Sequence, residues 1–437
     1  MTSKSKLVPR QLLIPFILVT TLFFAWGFAN DITNPMVKAF SKIFRMSVTD
    51  GALVQLAFYG GYFAMAFPAA LFIRKYSYKT GILLGLGLYA VGALLFIPAS
   101  MTGLYYPFLI AYFILTCGLS FLETSSNPYI LTMGDESTAT RRLNLAQAFN
   151  PIGSLLGMFT AMAFIQAKLS PLSTAERAQL SAEEFEVVKA ADLQVLIAPY
   201  VAVGLIVLLL FLIIRFTKMP KNADQDHSLH LGRALKRIFS IPRYREGVIA
   251  QFFYVGVQIM CWTFIIQYGT RIFVNQGMTE QDAEVLSQQY NIVAMAIFCI
   301  SRFVCTFLLK YFSPGKLLMT LAIGGAVLTA GVIGFQDIWG MYCLVGVSAC
   351  MSLMFPTIYG IALQGLGDDA KFGAAGLIMA ILGGSIMPPL QAAIIDCQTL
   401  WGIPAVNASF ILPLICFLVI IFYGYRSYSV HQKTMNK

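Results

Sequence analysis

Charge is what this sequence has least of. Only 11% of its 437 residues are Asp, Glu, Lys or Arg, against roughly 25% in an ordinary soluble domain. A water-soluble globular fold is excluded on that ground. Histidine is nearly missing as well: His227, His230 and His431 are the only three, and all fall in polar stretches. A histidine proton carrier inside an apolar segment is thereby excluded. There is no G-x-x-x-x-G-K-[ST] run, so direct drive by ATP is not expected. None of the eight cysteines has C-x-x-C spacing, and they are read as small hydrophobes in or beside apolar segments. No His/Cys/Asp cluster has metal-ligand spacing and no nucleophile elbow occurs. Neither a metal, nor another cofactor, nor an enzymatic reaction is expected.

What is present is apolar length. The chain is 58% hydrophobic with a mean hydropathy of +0.74, and a membrane span needs about 20 mostly apolar residues. Twelve such runs lie at about 11–38, 51–74, 80–99, 104–133, 142–166, 194–217, 246–273, 283–310, 315–335, 339–365, 372–396 and 403–425. They are numbered here as spans one to twelve. The expected fold class is an all-α membrane protein of twelve transmembrane helices. The N-terminus has the look of a signal peptide, but its apolar run is long and eleven others follow, so it is read as an uncleaved first helix.

The net charge of +10 reports orientation. If both termini are cytoplasmic, the inward loops carry most of the lysines and arginines, among them Arg74, Lys75, Lys79, Arg141, Arg142, Arg215 and Lys218. That is the positive-inside pattern, and it makes a nucleic-acid partner unnecessary. The expected partners are membrane lipid and a small polar solute, and a monomer is expected. The polar, basic stretch from Lys218 to Glu246 divides the chain into an N-terminal six-helix bundle (1–217), a cytoplasmic linker (218–245) and a C-terminal six-helix bundle (246–437). Within the linker, 229–239 has the pattern of a short amphipathic helix on the inner membrane surface. In the loop 168–192, Ser173-Thr174-Ala175-Glu176 and Ser181-Ala182-Glu183-Glu184 both read as capping boxes, which predicts short external helices.

The two bundles look like a distant repeat. Trp26 and Trp262 correspond, as do Tyr76-Ser77 and Phe312-Ser313. Asn127-Pro128 in span four pairs with Phe355-Pro356 in span ten. Gly134-Asp135 and Gly367-Asp368 follow in parallel. Two parallel halves imply a solute site at their interface near the midplane, with access alternating by rocking.

A carboxylate at membrane depth costs roughly 2.5–3.5 kcal/mol even on gentle insertion scales. Glu123, in Phe121-Leu122-Glu123-Thr124-Ser125-Ser126-Asn127-Pro128, is such a residue. It either hydrogen-bonds a carbonyl as a neutral acid or faces a wet cavity, carrying a proton or holding a polar solute. The second reading is preferred, because an acid retained only for packing is costly. Asp31, in Asn30-Asp31-Ile32-Thr33-Asn34-Pro35, is either a second such acid or a helix-end residue near the outer interface. Asn34 shares its helix face. Gln147 and Asn150 are also three residues apart, and their amides suit hydroxyl-rich solutes or interhelical bonds. On span seven, Tyr254, Gln258 and Trp262 offer polar groups and an aromatic face, with core packing an equal alternative. Arg302 in span eight is expected to snorkel or make a gating contact near the inner end. Gly383-Gly384 and Pro388-Pro389 read as a close-packed, bent stretch of span eleven.

These motifs carry a resemblance. Twelve spans in two related halves, with the basic loop Arg74-Lys75-Tyr76-Ser77-Tyr78-Lys79, look like the major facilitator superfamily. More narrowly, Leu122-Glu123-Thr124 with Asn127-Pro128, Arg142-Leu143-Asn144-Leu145-Ala146-Gln147 with Phe149-Asn150, and Tyr254-Val255-Gly256-Val257-Gln258 with Cys261-Trp262 resemble the L-fucose/proton symporter family. The resemblance implies two pseudo-symmetric six-helix bundles and import of a sugar with a proton across a bacterial inner membrane. It makes Glu123 the sugar-coupled carboxylate and Gln147 and Asn150 cavity residues. It also places the family's span-one aspartate at Asn34 and a family asparagine at Asp31, so acid and amide are exchanged across one helical turn. Asp31 is accordingly expected to take the proton-relay role. Asn30, Asn34, Tyr254, Gln258, Trp262 and Phe355 complete the expected sugar site, Phe355 standing where the family often has tyrosine. A carrier for glucose, galactose or an amino sugar, and a membrane sensor that binds sugar without moving it, remain alternatives.

Overall fold

The structure, a computed structural model, describes residues 7–33, 36–46, 53–165, 168–170, 172, 174–220, 231–395, 397, 399–400 and 402–431. Among these, eleven helical stretches are long and apolar enough to cross a membrane, the first Arg10–Thr33 and the last Ala405–Ser429. At span two stands a 23-residue helix, Leu53–Lys75. The helices begin where side chains can take up their free amides. Ser77 accepts from the amide of Thr80 to start Tyr78–Leu94, and Asp337 accepts from that of Trp339 to start Ile338–Met351. Such caps are each worth about 1 kcal/mol.

Two prolines break helices in the interior. Span five is Ala139–Gln147 followed by Asn150–Thr160, and span ten is Ile338–Met351 followed by Met354–Leu363. Pro151 and Pro356 lack the N–H that would reach the carbonyl four residues back, and their rings crowd it. The carbonyls of Gln147 and Ser352 are thereby left without their helical donors.

Several expectations change. The box at Ser181 forms, but the helix it opens is no short external piece. It runs 35 residues as Ala182–Phe216, continuous with span six, with Pro199 and Gly204 both accommodated inside the helix. The other box falls partly on Ser173, outside the described residues, although a helix does run Thr174–Gln179. Arg177 on that helix makes a buried ion pair with Asp192 at 2.5 Å, which staples the loop onto the long helix. The linker helix spans Leu231–Ser240, and its Arg237 pairs with Asp369. The run read as the start of span twelve opens with a small turn, where Thr399–Leu400 pairs with Ile403–Pro404. His227 and His230 lie outside the described residues.

Helix packing groups Arg10–Tyr129 with Phe149–Leu229 in one compact unit, and Met1–Pro9 and Ile130–Ala148 with His230–Lys437 in the other. In the first unit, helix Leu13–Thr33 lies against Asn150–Thr160, so closely that a Cβ on Gly153 would sit 2.0 Å from the Phe24 carbonyl oxygen. The second unit repeats this contact: a Cβ on Gly383 would sit 2.0 Å from the carbonyl oxygen of Phe252. Small residues let membrane helices meet backbone to backbone.

Gly153→Ala and Gly383→Ala are each expected to destabilise the purified protein by about 1–3 kcal/mol through overpacking. Gly87→Ala, where nothing lies within 4 Å, is expected to be neutral or to gain up to about 1 kcal/mol of helix propensity. Thermal unfolding in detergent measures the contrast.

Candidate functional site

In the first unit, helix Tyr106–Thr132 is buried on every side from Leu115 to Ile130. Some of its polar residues fold back on their own backbone. The Ser125 hydroxyl donates to the Phe121 carbonyl at 2.6 Å, and the Asn127 amide donates to the Glu123 carbonyl at 2.9 Å. The Glu123 side chain, 5% exposed, has no lysine or arginine paired with it among the described residues. It faces Tyr62 of helix Leu53–Lys75, close enough to interact but without a hydrogen bond of ordinary geometry. An acid so placed holds its charge only at a large desolvation cost.

Asp31 is half-buried on helix Leu13–Thr33, within electrostatic reach of Tyr59. Asn30 beside it carries a buried side-chain oxygen without a hydrogen-bond partner. Asn34 lies outside the described residues. Asn150 is half-buried, and its amide donates to the Phe23 carbonyl at 3.1 Å. That bond is the interhelical alternative, and it leaves the Asn150 side-chain oxygen as its acceptor.

The second unit is organised around Arg302, and of the two expectations for it, snorkelling or a gating contact, the snorkelling side chain is set aside. Arg302 is 3% exposed, because the carbonyls freed by the two prolines draw it inward. Its Nε donates to the Ser352 carbonyl, and its Nη1 to the Gln147 carbonyl at 3.1 Å. Both acceptors end helical segments, where the peptide dipoles favour a cation. The guanidinium also lies 4.6 Å from the centre of the Phe298 ring. Charge-assisted bonds of this kind are worth about 1.5–3 kcal/mol each. No carboxylate is paired with it among the described residues. Next to this bridge, the Asn144 amide donates to the Thr357 hydroxyl at 3.2 Å, so the start of span five is bound to spans eight and ten.

Gln147 itself is buried. Tyr254 is fully buried, and its hydroxyl donates to the Met351 carbonyl at 3.1 Å, at the break in span ten. Phe355 meets the Tyr254 ring edge-on at 6.2 Å. Trp262 is half-buried, with its indole N–H on the Ser348 hydroxyl at 3.2 Å, and Gln258 is half-buried. Tyr254 and Trp262 therefore brace span ten as much as they present a face to a solute. Gln251 is buried with both side-chain amide atoms unpartnered.

Asn30, Asp31, Glu123 and Asn150 fall in one unit. Gln147, Tyr254, Gln258, Trp262 and Phe355 fall in the other, where Tyr254 and Phe355 meet. Sequence reading passed over Tyr59, Tyr62 and Asn144. Tyr59 and Tyr62 did carry a signal, since phenols three residues apart in an otherwise apolar run share a helix face.

Comparison with known proteins agrees with this architecture. Residues 17–389 match the family model of the Major Facilitator Superfamily. The chain is 51% identical to a Haemophilus influenzae protein named L-fucose-proton symporter, over 98% of this chain and 99% of that one. A Brucella abortus glucose/galactose transporter is 31% identical over 93% of this chain and 92% of its own. Among solved structures, the Escherichia coli fucose:proton symporter superposes with a TM-score of 0.86 at 33% identity, covering 96% of this chain and 99% of that one.

Arg302→Lys keeps the charge but not the fork, and leaves a buried carbonyl unpaired at a cost of about 1–3 kcal/mol. Pro151→Ala restores an N–H for the Gln147 carbonyl, so the two substitutions are expected to couple by at least about 0.5 kcal/mol in a thermal-unfolding cycle.

Proposed function

Because this chain belongs to the major facilitator superfamily, we propose that it is a secondary transporter that imports L-fucose together with a proton. The observation that carries this reading is full-length identity of 51% to the Haemophilus influenzae symporter, with the buried acid Glu123 in place. The two halves, 1–217 and 246–437, rock about the linker 218–245. Protonation of Glu123 and Asp31 from outside favours sugar binding between the halves. Gln147, Asn150, Asn30, Asn34, Tyr254, Gln258, Trp262 and Phe355 line the sugar site. Inward opening then releases sugar and proton together. The positive-inside pattern supports a bacterial inner-membrane location with both termini cytoplasmic, and the protein acts as a monomer.

Asp31 takes the relay role that the resemblance assigns to an aspartate at Asn34. Its half-buried position beside Tyr59 supports this. A hexose remains a second substrate reading, favoured by the Brucella abortus relative.

The test follows external pH in lightly buffered, de-energised cells after pulses of L-fucose, glucose and galactose. L-fucose alone is expected to raise external pH, and Glu123→Gln to abolish the rise. Asp31→Asn is expected to lose sugar accumulation. A rise with a hexose alone keeps the mechanism and replaces the substrate. Labelled-sugar uptake with no pH change for any sugar removes proton coupling, and with it the roles of Glu123 and Asp31.

A further inference from the structure

Two phenols stand between the two acids of the first unit. Tyr59 and Tyr62 lie one turn apart on helix Leu53–Lys75, on a shared face. Tyr59 is within electrostatic reach of Asp31, and Tyr62 within reach of Glu123, Tyr59 and Tyr89. The order is therefore Asp31, Tyr59, Tyr62, Glu123. The helix is held in register with Tyr106–Thr132 by the Ser120 hydroxyl, which donates to the Tyr62 carbonyl at 3.1 Å, three residues before Glu123. Phe58 packs against both phenol rings, each centroid 5.7 Å away. Tyr89 is already engaged, because its hydroxyl donates to the Ala25 carbonyl at 3.2 Å. The Tyr62 hydroxyl, in a side chain 3% exposed, has no hydrogen bond of ordinary geometry. The carboxyl in front of it is the partner it faces.

We propose that Tyr62 is a positioning residue for the coupling acid: its hydroxyl donates to the Glu123 carboxylate and accepts from the same group once protonated, while Tyr59 extends the contact to Asp31. A hydroxyl has one hydrogen and two lone pairs, so it satisfies both protonation states in a site where an unpaired polar group is costly. The phenol keeps its own hydrogen throughout. Only the direction of its O–H reverses, and the proton that is taken up ends on Glu123. The inference rests on Glu123 being the coupling acid.

The experiment is counterflow of labelled L-fucose in proteoliposomes at equal pH on both sides, from about pH 5 to about pH 9, which spans titration of a buried carboxyl. The full chain, Tyr62→Phe and Glu123→Gln are compared. Tyr62→Phe keeps the ring and its contact with Phe58. Its half-maximal pH is expected to move by at least about half a unit, a threefold change in proton affinity. A purely packing role would change the rate and leave the pH profile in place, so a superimposable Tyr62→Phe profile overturns the proposal. Glu123→Gln separates the two claims. A flattened profile there with an unmoved Tyr62→Phe profile removes only the role of Tyr62. A wild-type profile in Glu123→Gln removes the coupling acid itself. If Tyr62→Phe fails to insert, Tyr59→Phe is read in the same way, a shift supporting the contact chain and a superimposable profile overturning it.

Discussion

A single buried guanidinium holds the broken helices of the second unit together. Pro151 and Pro356 each take away one amide donor, and the two stranded carbonyls belong to different spans. Arg302 supplies one donor to each. Without that fork, two backbone acceptors would stand unpaired in an apolar interior, where each costs about 1–3 kcal/mol. The arginine and these two carbonyls thus act together, although 155 residues separate Arg302 from Gln147. The arginine stays charged without a carboxylate partner because two helix ends, with their partial negative charge, lie against it.

The other buried charge is treated in the opposite way. Glu123 meets a neutral phenol and no cation among the described residues. A permanently charged group such as arginine needs fixed compensation, and carbonyls provide it. A carboxyl that changes its protonation state is better served by a hydroxyl, which donates or accepts as required. Each unit therefore gives its ionisable group surroundings suited to whether its charge has to change, and that division fits the proposed proton-coupled cycle.

Much of this was legible before any coordinates. Apolar runs of about 20 residues mark the spans because backbone polar groups in a membrane have to be satisfied within each segment. Glu123 stands out because nothing apolar explains it. The internal repeat is visible as Trp26 with Trp262, and it reappears as the same backbone contact at Gly153 and Gly383. Less visible was the end of each segment. The box at Ser181 reads as the start of a short helix, since a local motif sets where a helix begins and says nothing of where it ends.

The sequence by itself determined the membrane class, the order of the apolar spans and the presence of an unexplained acid. All of these follow from local composition and from interactions within a few residues along one chain segment. Only the tertiary structure decided that Arg302 is drawn inward and does not snorkel, that Asn150 ties to the Phe23 carbonyl, and that Tyr62 is the group facing Glu123. Those outcomes depend on which donors and acceptors from distant spans are brought within 3 Å or so of each other, and spacing along the chain does not encode that.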